Sequence, residues 1–360
     1  MRIWIAGGGT GGHVYPGLAV VQALRAVDEP DVTYVGGEGN IEEELAARAN
    51  VRFVGIPAGG VHGLGPWQVA QNVVKLIRGW RAAYRLGRRE SPAALFATGG
   101  YASVPVALAA WLLRVPILVY LPDVEPGLAV RFIARLASRI AVTVEDSRRY
   151  LPERKVVVTG YPVRADFGNL DRMEAREALG LGAGEPVLLV MGGSRGARSI
   201  NQGLGAILEH VLEMAHVIHL SGELDWPWVA EQRDALPERL RRRYRAFSYL
   251  HSIGSALAAA DLVLCRAGAS TLGELPYFGL PAVLVPYPHA WRYQRVNAEW
   301  LTERGAAVTL RDEELRDALL PTLRRLLTDE DQLERMGDRA RALSRPDAAA
   351  RLAGILFTLP

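Results

Sequence analysis

The chain has 360 residues, 49% of them hydrophobic and 22% charged, which is enough for two packed cores and too apolar for a disordered polymer. Its 42 basic and 39 acidic residues leave a formal net charge of +3, so nothing in the composition signals a polyanion binder, and no nucleic-acid partner is expected. The single cysteine, Cys265, excludes an internal disulfide framework and fits a reducing compartment, with a buried apolar role favoured over a nucleophilic one.

Met1-Arg2 runs straight into an apolar strand without a signal-peptide pattern, and no apolar run approaches the roughly 18 residues of a spanning helix. A cytosolic chain, free or attached to a membrane surface, is the expectation. Short β-branched runs alternate with helical patterns along the whole length. Strands are predicted over 2–6, 31–35, 52–56, 93–97, 117–121, 140–142 and 156–159, and in a second set over 187–191, 216–220, 246–249, 262–265, 282–286 and 306–310. Continuous apolar strands separated by helices imply parallel sheets covered on both faces, here two doubly wound, Rossmann-like α/β domains. The joint is expected at Gly160-Tyr161-Pro162-Val163-Arg164, giving domains 1–163 and 164–346. A second break at Ser344-Arg345-Pro346-Asp347 would let a final helix, 347–360, pack back on the first domain. Ligands of such a pair belong in the cleft at the carboxyl ends of the sheets.

Four stretches carry the chemistry. The first, Gly7-Gly8-Gly9-Thr10-Gly11-Gly12-His13, joins the first strand to a helix predicted over 16–26, an arrangement that turns backbone N–H groups toward an anion or polar ligand. Gly7, Gly9 and Gly12 satisfy the dinucleotide pattern, with Glu38 as a nominal ribose ligand, so an oxidoreductase is one reading. His13 is not needed by that reading. The second stretch, Gly192-Gly193-Ser194-Arg195-Gly196-Ala197-Arg198, follows a strand and suits a diphosphate or a plain tight turn. In the third, Cys265 to Leu275, Thr271 and Glu274 have capping-box spacing, and the Glu274 carboxylate could instead accept both ribose hydroxyls. The fourth, Pro286 to Ala298, places Gln294 and Asn297 three apart on one helical face, as sugar recognition would require.

Taken together, Gly8-Gly9-Thr10-Gly11-Gly12-His13 with Pro16, Thr98-Gly99-Gly100-Tyr101, Gly192-Gly193-Ser194 with Gly196-Ala197-Arg198, and Cys265-Arg266-x-Gly268-Ala269-x-Thr271-x-x-Glu274 resemble glycosyltransferase family 28. The likeness is to its peptidoglycan branch, and it continues through Gly279-Leu280-Pro281-Ala282 and Gln294-x-x-Asn297-Ala298 over nearly the whole chain. It implies a GT-B fold and inverting transfer of N-acetylglucosamine from UDP-GlcNAc to the C4 hydroxyl of undecaprenyl-diphosphate-linked muramyl-pentapeptide (lipid I). The product would be lipid II, made at the cytoplasmic face of the membrane. By matching motifs, the substrates would be held by Thr10, Gly11, Gly12, Tyr101 and Asp123 in the first domain. Arg164, Ser194, Leu250, Ala269, Ser270, Thr271, Leu272, Gly273, Glu274, Gln294 and Asn297 would serve in the second. Leu250 would meet the uracil through its backbone, Glu274 the ribose and Gln294 the sugar hydroxyls.

Inversion needs a base for the acceptor proton and stabilisation of the departing UDP. The helix behind Ser194 and the Arg164 guanidinium can supply the second; no Asp-x-Asp pair stands at a strand end, so neither a metal nor a cofactor is expected. His13 is the first candidate base, with a structural histidine as the plain alternative. The chain departs from the family where Tyr120-Leu121-Pro122-Asp123 replaces His-Glu-Gln-Asn, which makes Asp123 and Glu125 rival bases. That departure also keeps open a transferase for another lipid and a non-catalytic nucleotide-sugar binder. Trp291 is a second departure. Finally, Ala70, Val73, Val74, Ile77, Trp80 and Tyr84 recur at helical spacing among Lys75, Arg78, Arg81, Arg85, Arg88 and Arg89. That pattern suits a helix resting on an anionic membrane surface, or one packed on the sheet with a solvated basic face.

Overall fold

The computed structural model describes residues 1–9, 11–60, 65–182, 184–193, 196–250, 252–288 and 293–360. The expected positions Thr10, Ser194, Arg195 and Trp291 lie outside the described residues. The chain divides into two compact units, Met1–Ala165 with Arg345–Pro360, and Asp166–Ser344.

In the first unit β1 (Arg2–Gly7) leads to α1 (Gly11–Arg25), β2 (Asp31–Gly37), α2 (Ile41–Arg48), β3 (Arg52–Ile56), α3 (Pro66–Glu90) and β4 (Ala94–Gly99). Then come α4 (Ser103–Leu112), β5 (Ile117–Leu121), α5 (Leu128–Leu136), β6 (Arg139–Val142) and β7 (Val156–Val158). The sheet order is β3-β2-β1-β4-β5-β6-β7, and all its pairs are parallel. Strands β4 and β5 are buried at every position, as a sheet covered on both faces requires. Trp4, Ala6, Leu95, Ile117 and Val119 face the layer built by Ala83 and Leu86 of α3 and Val106, Ala107 and Ala110 of α4.

The second unit runs α6 (Arg172–Ala178), β8 (Val187–Met191), α7 (Arg198–Leu212), β9 (His216–Leu220), α8 (Trp226–Ala235), α9 (Glu238–Arg241) and β10 (Tyr244–Phe247). It continues with α10 (Ile253–Ala259), β11 (Leu262–Cys265), α11 (Thr271–Phe278), β12 (Ala282–Leu284), α12 (Tyr293–Glu303), β13 (Ala307–Thr309), α13 (Leu315–Thr328) and α14 (Glu330–Ala342). Its order, β10-β9-β8-β11-β12-β13, repeats the first six strands of the other sheet in sequence logic. The last helix, α15 (Ala348–Phe357), packs on α1 within the first unit.

In both sheets the order reverses beside the first strand, between β1 and β4 and between β8 and β11. That is where a parallel sheet opens a crevice at its carboxyl edge, because the two flanking helices depart to opposite faces. Gly7 to Gly12 and Gly192 to Gly196 follow β1 and β8; Gly99-Gly100 and Arg266 to Ser270 follow β4 and β11. These four loops are thus brought to the switch points by topology, whereas the stretch from Pro286 to Ala298 follows β12, next to β11 in the second sheet.

Backbone passes closest to backbone at Gly100, whose φ is +78° and where a Cβ would lie 2.0 Å from the Gly8 carbonyl oxygen. Gly39, at φ +70°, has open space around the same position. Gly100→Ala should therefore cost about 2 kcal/mol or more in urea unfolding, from overlap added to backbone strain, while Gly39→Ala should cost about 1 kcal/mol. Equal losses for the two would show that the close approach carries no energetic weight.

Candidate functional site

The first glycine turn is shorter than expected, because α1 opens at Gly11 and not at Pro16. Pro16 sits one turn inside, forgoing the bond its N–H would have made, and His13 falls in the helix's first turn. Three side chains brace this turn. The Tyr34 hydroxyl donates to the Gly7 carbonyl at 2.8 Å, and the Thr98 hydroxyl to the His13 carbonyl at 2.5 Å. Glu42, 0% exposed, accepts the Gly37 N–H at 3.1 Å and, more weakly, the Gly9 N–H at 3.5 Å. A buried carboxylate is costly unless it is hydrogen-bonded, and the first turn of α2 adds its dipole to those backbone donors.

Glu42 is the residue that sequence reasoning missed. Its place in Glu42-Glu43-Glu44 reads as a solvated helix start. The available signal was the strand β2 ending in Gly36-Gly37, where small residues leave room for a carboxylate: a Cβ on Gly36 would lie 2.8 Å from Glu42 Cγ. Next to this brace, Asn40 Nδ2 donates to the Tyr101 hydroxyl at 3.3 Å.

The His13 ring lies against Gly99, where a Cβ would come within 3.0 Å of Cδ2. Burial pushes its pKa down to about 4, so the imidazole is neutral at pH 7. Of the rival bases, Glu125 is buried and accepts from Arg131 Nη2 at 2.9 Å, while Arg131 Nε donates to the Pro126 carbonyl at 2.9 Å. Asp123 is half-buried at the end of the same segment. Tyr120 is removed from any surface role: it is fully buried, with its hydroxyl 2.7 Å from Thr143 Oγ1. Arg164 lies in the first unit, its guanidinium 5.8 Å from the centroid of the Tyr15 ring.

In the second unit Gly193 and Gly196 adopt φ of +81° and +75°, and α7 opens two residues later at Arg198. At the end of β11, the Arg266 guanidinium reaches Val285 O (3.2 Å), Ser199 Oγ (2.7 Å) and the Asp312 carboxylate, and stands 5.2 Å from the Tyr287 ring centroid. Three strand-end segments are tied together by that one side chain. Cys265 is buried and its thiol is pushed up to about 12, by burial and then by Glu274, so it is a packing residue.

The Thr271–Glu274 capping box does not form. Ser270 is the helix N-cap, the Thr271 hydroxyl donates to the Gly268 carbonyl at 2.6 Å, and Glu274 N–H bonds Ser270 O at 2.8 Å. The half-buried Glu274 thus enters α11 with Ala269 and Ser270 half-buried before it and Thr271, Leu272 and Gly273 buried beneath. Leu250 is half-buried beyond β10. Gln294 and Asn297 do not share a surface role. Gln294 Oε1 accepts the Tyr287 N–H at 2.9 Å, whereas Asn297 is fully buried and donates to the Ala267 carbonyl at 3.1 Å. Asn297 holds the turn after β11 from the buried face of α12, which it shares with Val296 and Ala298.

With these loops in view, comparison with known proteins is specific. Residues 3–142 match the glycosyltransferase family 28 N-terminal domain and residues 187–352 the family 28 C-terminal domain. A UDP-N-acetylglucosamine–N-acetylmuramyl-(pentapeptide) pyrophosphoryl-undecaprenol N-acetylglucosamine transferase of Roseiflexus sp. (strain RS-1) is 44% identical over 100% of this chain and 95% of its own length. One of the same name from Desulforudis audaxviator (strain MP104C) is 39% identical over 100% and 98%. The crystal structure of Acinetobacter baumannii MurG superposes with a TM-score of 0.79 at 26% identity, covering 99% of each chain. Two Rossmann-like parallel-sheet units of GT-B type, with family 28 motifs at both switch points, leave one assignment: this chain belongs to glycosyltransferase family 28.

Proposed function

We propose that this chain transfers N-acetylglucosamine from UDP-GlcNAc to the C4 hydroxyl of lipid I, forming lipid II in peptidoglycan synthesis. The observation that carries the proposal is end-to-end identity of 44% and 39% to relatives bearing that activity's name. The chemistry of the loops supports it. Transfer with inversion takes one displacement, so the enzyme needs a base in its unprotonated form, charge stabilisation on the leaving diphosphate, and recognition of the nucleoside.

His13 is assigned the base, because its imidazole is already neutral and its ring is held in place through the braced turn of α1. Asp123 is the alternative; Glu125 is disfavoured by its pairing with Arg131. The diphosphate is assigned to the Gly192–Ala197 turn with Ser194 and the first turn of α7, with Arg164 as counter-charge. Leu250 is assigned to the uracil, Glu274 to the ribose hydroxyls, Ala269 to Gly273 to the same nucleoside segment, and Gln294 to the sugar. Thr10, Gly11, Gly12 and Tyr101 are assigned to the acceptor and the reacting end of the donor. Asn297 acts indirectly, by fixing Ala267.

We place the protein peripherally at the cytoplasmic membrane face. No helix among the described residues is long and apolar enough to cross a membrane. The buried stripe of α3 is Gly79, Ala83, Leu86 and Gly87, so the apolar residues of its first half do not face the sheet. Trp67 is 75% exposed, and Val73, Val74 and Ile77 are exposed beside Lys75, Arg78 and Arg81. Trp111 and Leu112 of the adjoining α4 are exposed as well. Apolar wedges among cations fit an anionic lipid surface.

With lipid I and UDP-GlcNAc, transfer of GlcNAc is expected, and NADH is expected not to bind in calorimetric titration; no transfer to lipid I would end the proposal. His13→Ala should lower kcat by about 100-fold or more. Because the folded His13 pKa is lowered, the base form persists as pH falls below 6.5, and the acid limb of kcat/KM should lie near 4. An unchanged rate in His13→Ala, with a collapse in Asp123→Ala, would transfer the role to Asp123. The chain should also co-sediment with phosphatidylglycerol vesicles and detach at high salt, and Val74→Glu with Ile77→Glu should abolish the binding; co-sedimentation equal on neutral and anionic vesicles would contradict the electrostatic part.

A further inference from the structure

Strand β9 reads His216-Val-Ile-His219-Leu220, and its second histidine is 1% exposed, deep in an otherwise apolar core. His219 belongs to a continuous polar chain. Nδ1 lies 2.6 Å from the Tyr244 hydroxyl and Nε2 lies 3.0 Å from Asn201 Oδ1. An amide oxygen only accepts, so Nε2 carries the proton and Nδ1 receives the tyrosine's. Burial pushes the imidazole down to about 4, which keeps this neutral tautomer at pH 7. Asn201, fully buried on α7, then donates both to the Ser221 carbonyl at 2.8 Å and to Asp225 Oδ2 at 2.9 Å.

Asp225 accepts from Arg198 Nε at 2.9 Å on its other oxygen. Burial opposes its ionisation, yet hydrogen bonds from Asn201, Arg198 and Trp228 prevail and hold the carboxyl below its usual range. Arg198, the first residue of α7, keeps 65% of its side chain exposed while its Nε is fixed.

The Ser221 carbonyl is the point where this chain meets the loops. Gly196, at φ +75°, packs so closely on it that a Cβ would lie 2.1 Å from the oxygen. Ser221 N–H bonds Phe247 O at 3.0 Å and Gly222 N–H bonds Ser248 O at 3.0 Å, so the same two residues also fix the segment leading to Leu250. One turn therefore holds both the glycine loop after β8 and the chain after β10.

We propose that His219 is a positioning residue for donor binding: acting through Asn201, it orients the Ser221–Gly222 turn and so sets the diphosphate loop at Gly196 in register with the uracil-contacting segment at Leu250. This rests on the reading that the second unit holds the UDP of the donor. Replacing His219 with an apolar residue would orphan Asn201 Oδ1 in the core and release the amide orientation that aims Nδ2 at Ser221.

The test is calorimetric titration of UDP into the full-length enzyme, with KM measured for UDP-GlcNAc and for lipid I. His219→Leu should weaken UDP binding by about 10- to 100-fold and raise the donor KM in proportion, leaving the acceptor KM unchanged. His219→Gln, whose amide nitrogen can still reach Asn201, should restore affinity to within about 3-fold of the parent. Should His219→Leu fail to fold, Asp225→Asn reads the same chain from its other end, and about 10-fold weaker UDP binding is expected. A His219→Leu protein, or in its place Asp225→Asn, that melts earlier but binds UDP like the parent would reduce the chain to core packing and overturn the proposal. A parent enzyme that does not bind UDP would instead overturn the donor reading beneath it.

Discussion

The structure depends on backbone meeting backbone at the carboxyl edge of each sheet. Gly100 sits on the Gly8 carbonyl in one unit and Gly196 on the Ser221 carbonyl in the other, each at positive φ and each where no side chain fits. Such approaches bring loops from different strands to a fixed separation without intervening side chains. They also expose N–H groups and helix starts to a ligand, which is what a diphosphate needs. The cost is that glycine loops have no stiffness of their own.

That stiffness is supplied from beneath by buried polar groups. Under the first loop lies Glu42, with Tyr34 and Thr98 holding carbonyls on either side. Under the second lies the chain from Tyr244 through His219 and Asn201 to Asp225. In both places a carboxylate is withdrawn from water and satisfied by donors, a high-stakes arrangement that is rigid when complete and costly when broken. The two units thus solve the same mechanical problem with unrelated residues. Apolar packing alone could not have done it, because dispersion contacts do not fix the direction of a carbonyl.

The sheets were legible in the sequence because parallel strands covered on both faces are uninterrupted apolar runs, and every predicted run is a strand. Edges moved where local signals mislead. Strand β10 begins at Tyr244 because its register with β9 pairs Tyr244 with Val217, and α1 begins at Gly11 although glycine and an interior proline both argue against it. The glycine loops and the strand-end motifs were readable from spacing. The bracing residues were not: Glu42 hides in a run of acids, and His219 and Asn201 in strand and helix patterns whose apolar neighbours dominate. Asn297 was visible as a residue but not as a direction, since helical phase at a loop exit is set by packing.

The central claim is a single displacement that builds a β-linked disaccharide on a lipid diphosphate. Proton NMR of the muramyl product, released from its carrier after reaction with UDP-GlcNAc, tests it most directly. The account predicts a GlcNAc anomeric proton with the large coupling of a β linkage and a new bond at C4 of the muramyl ring. An α-linked product, or hydrolysis of UDP-GlcNAc without any disaccharide, would contradict it.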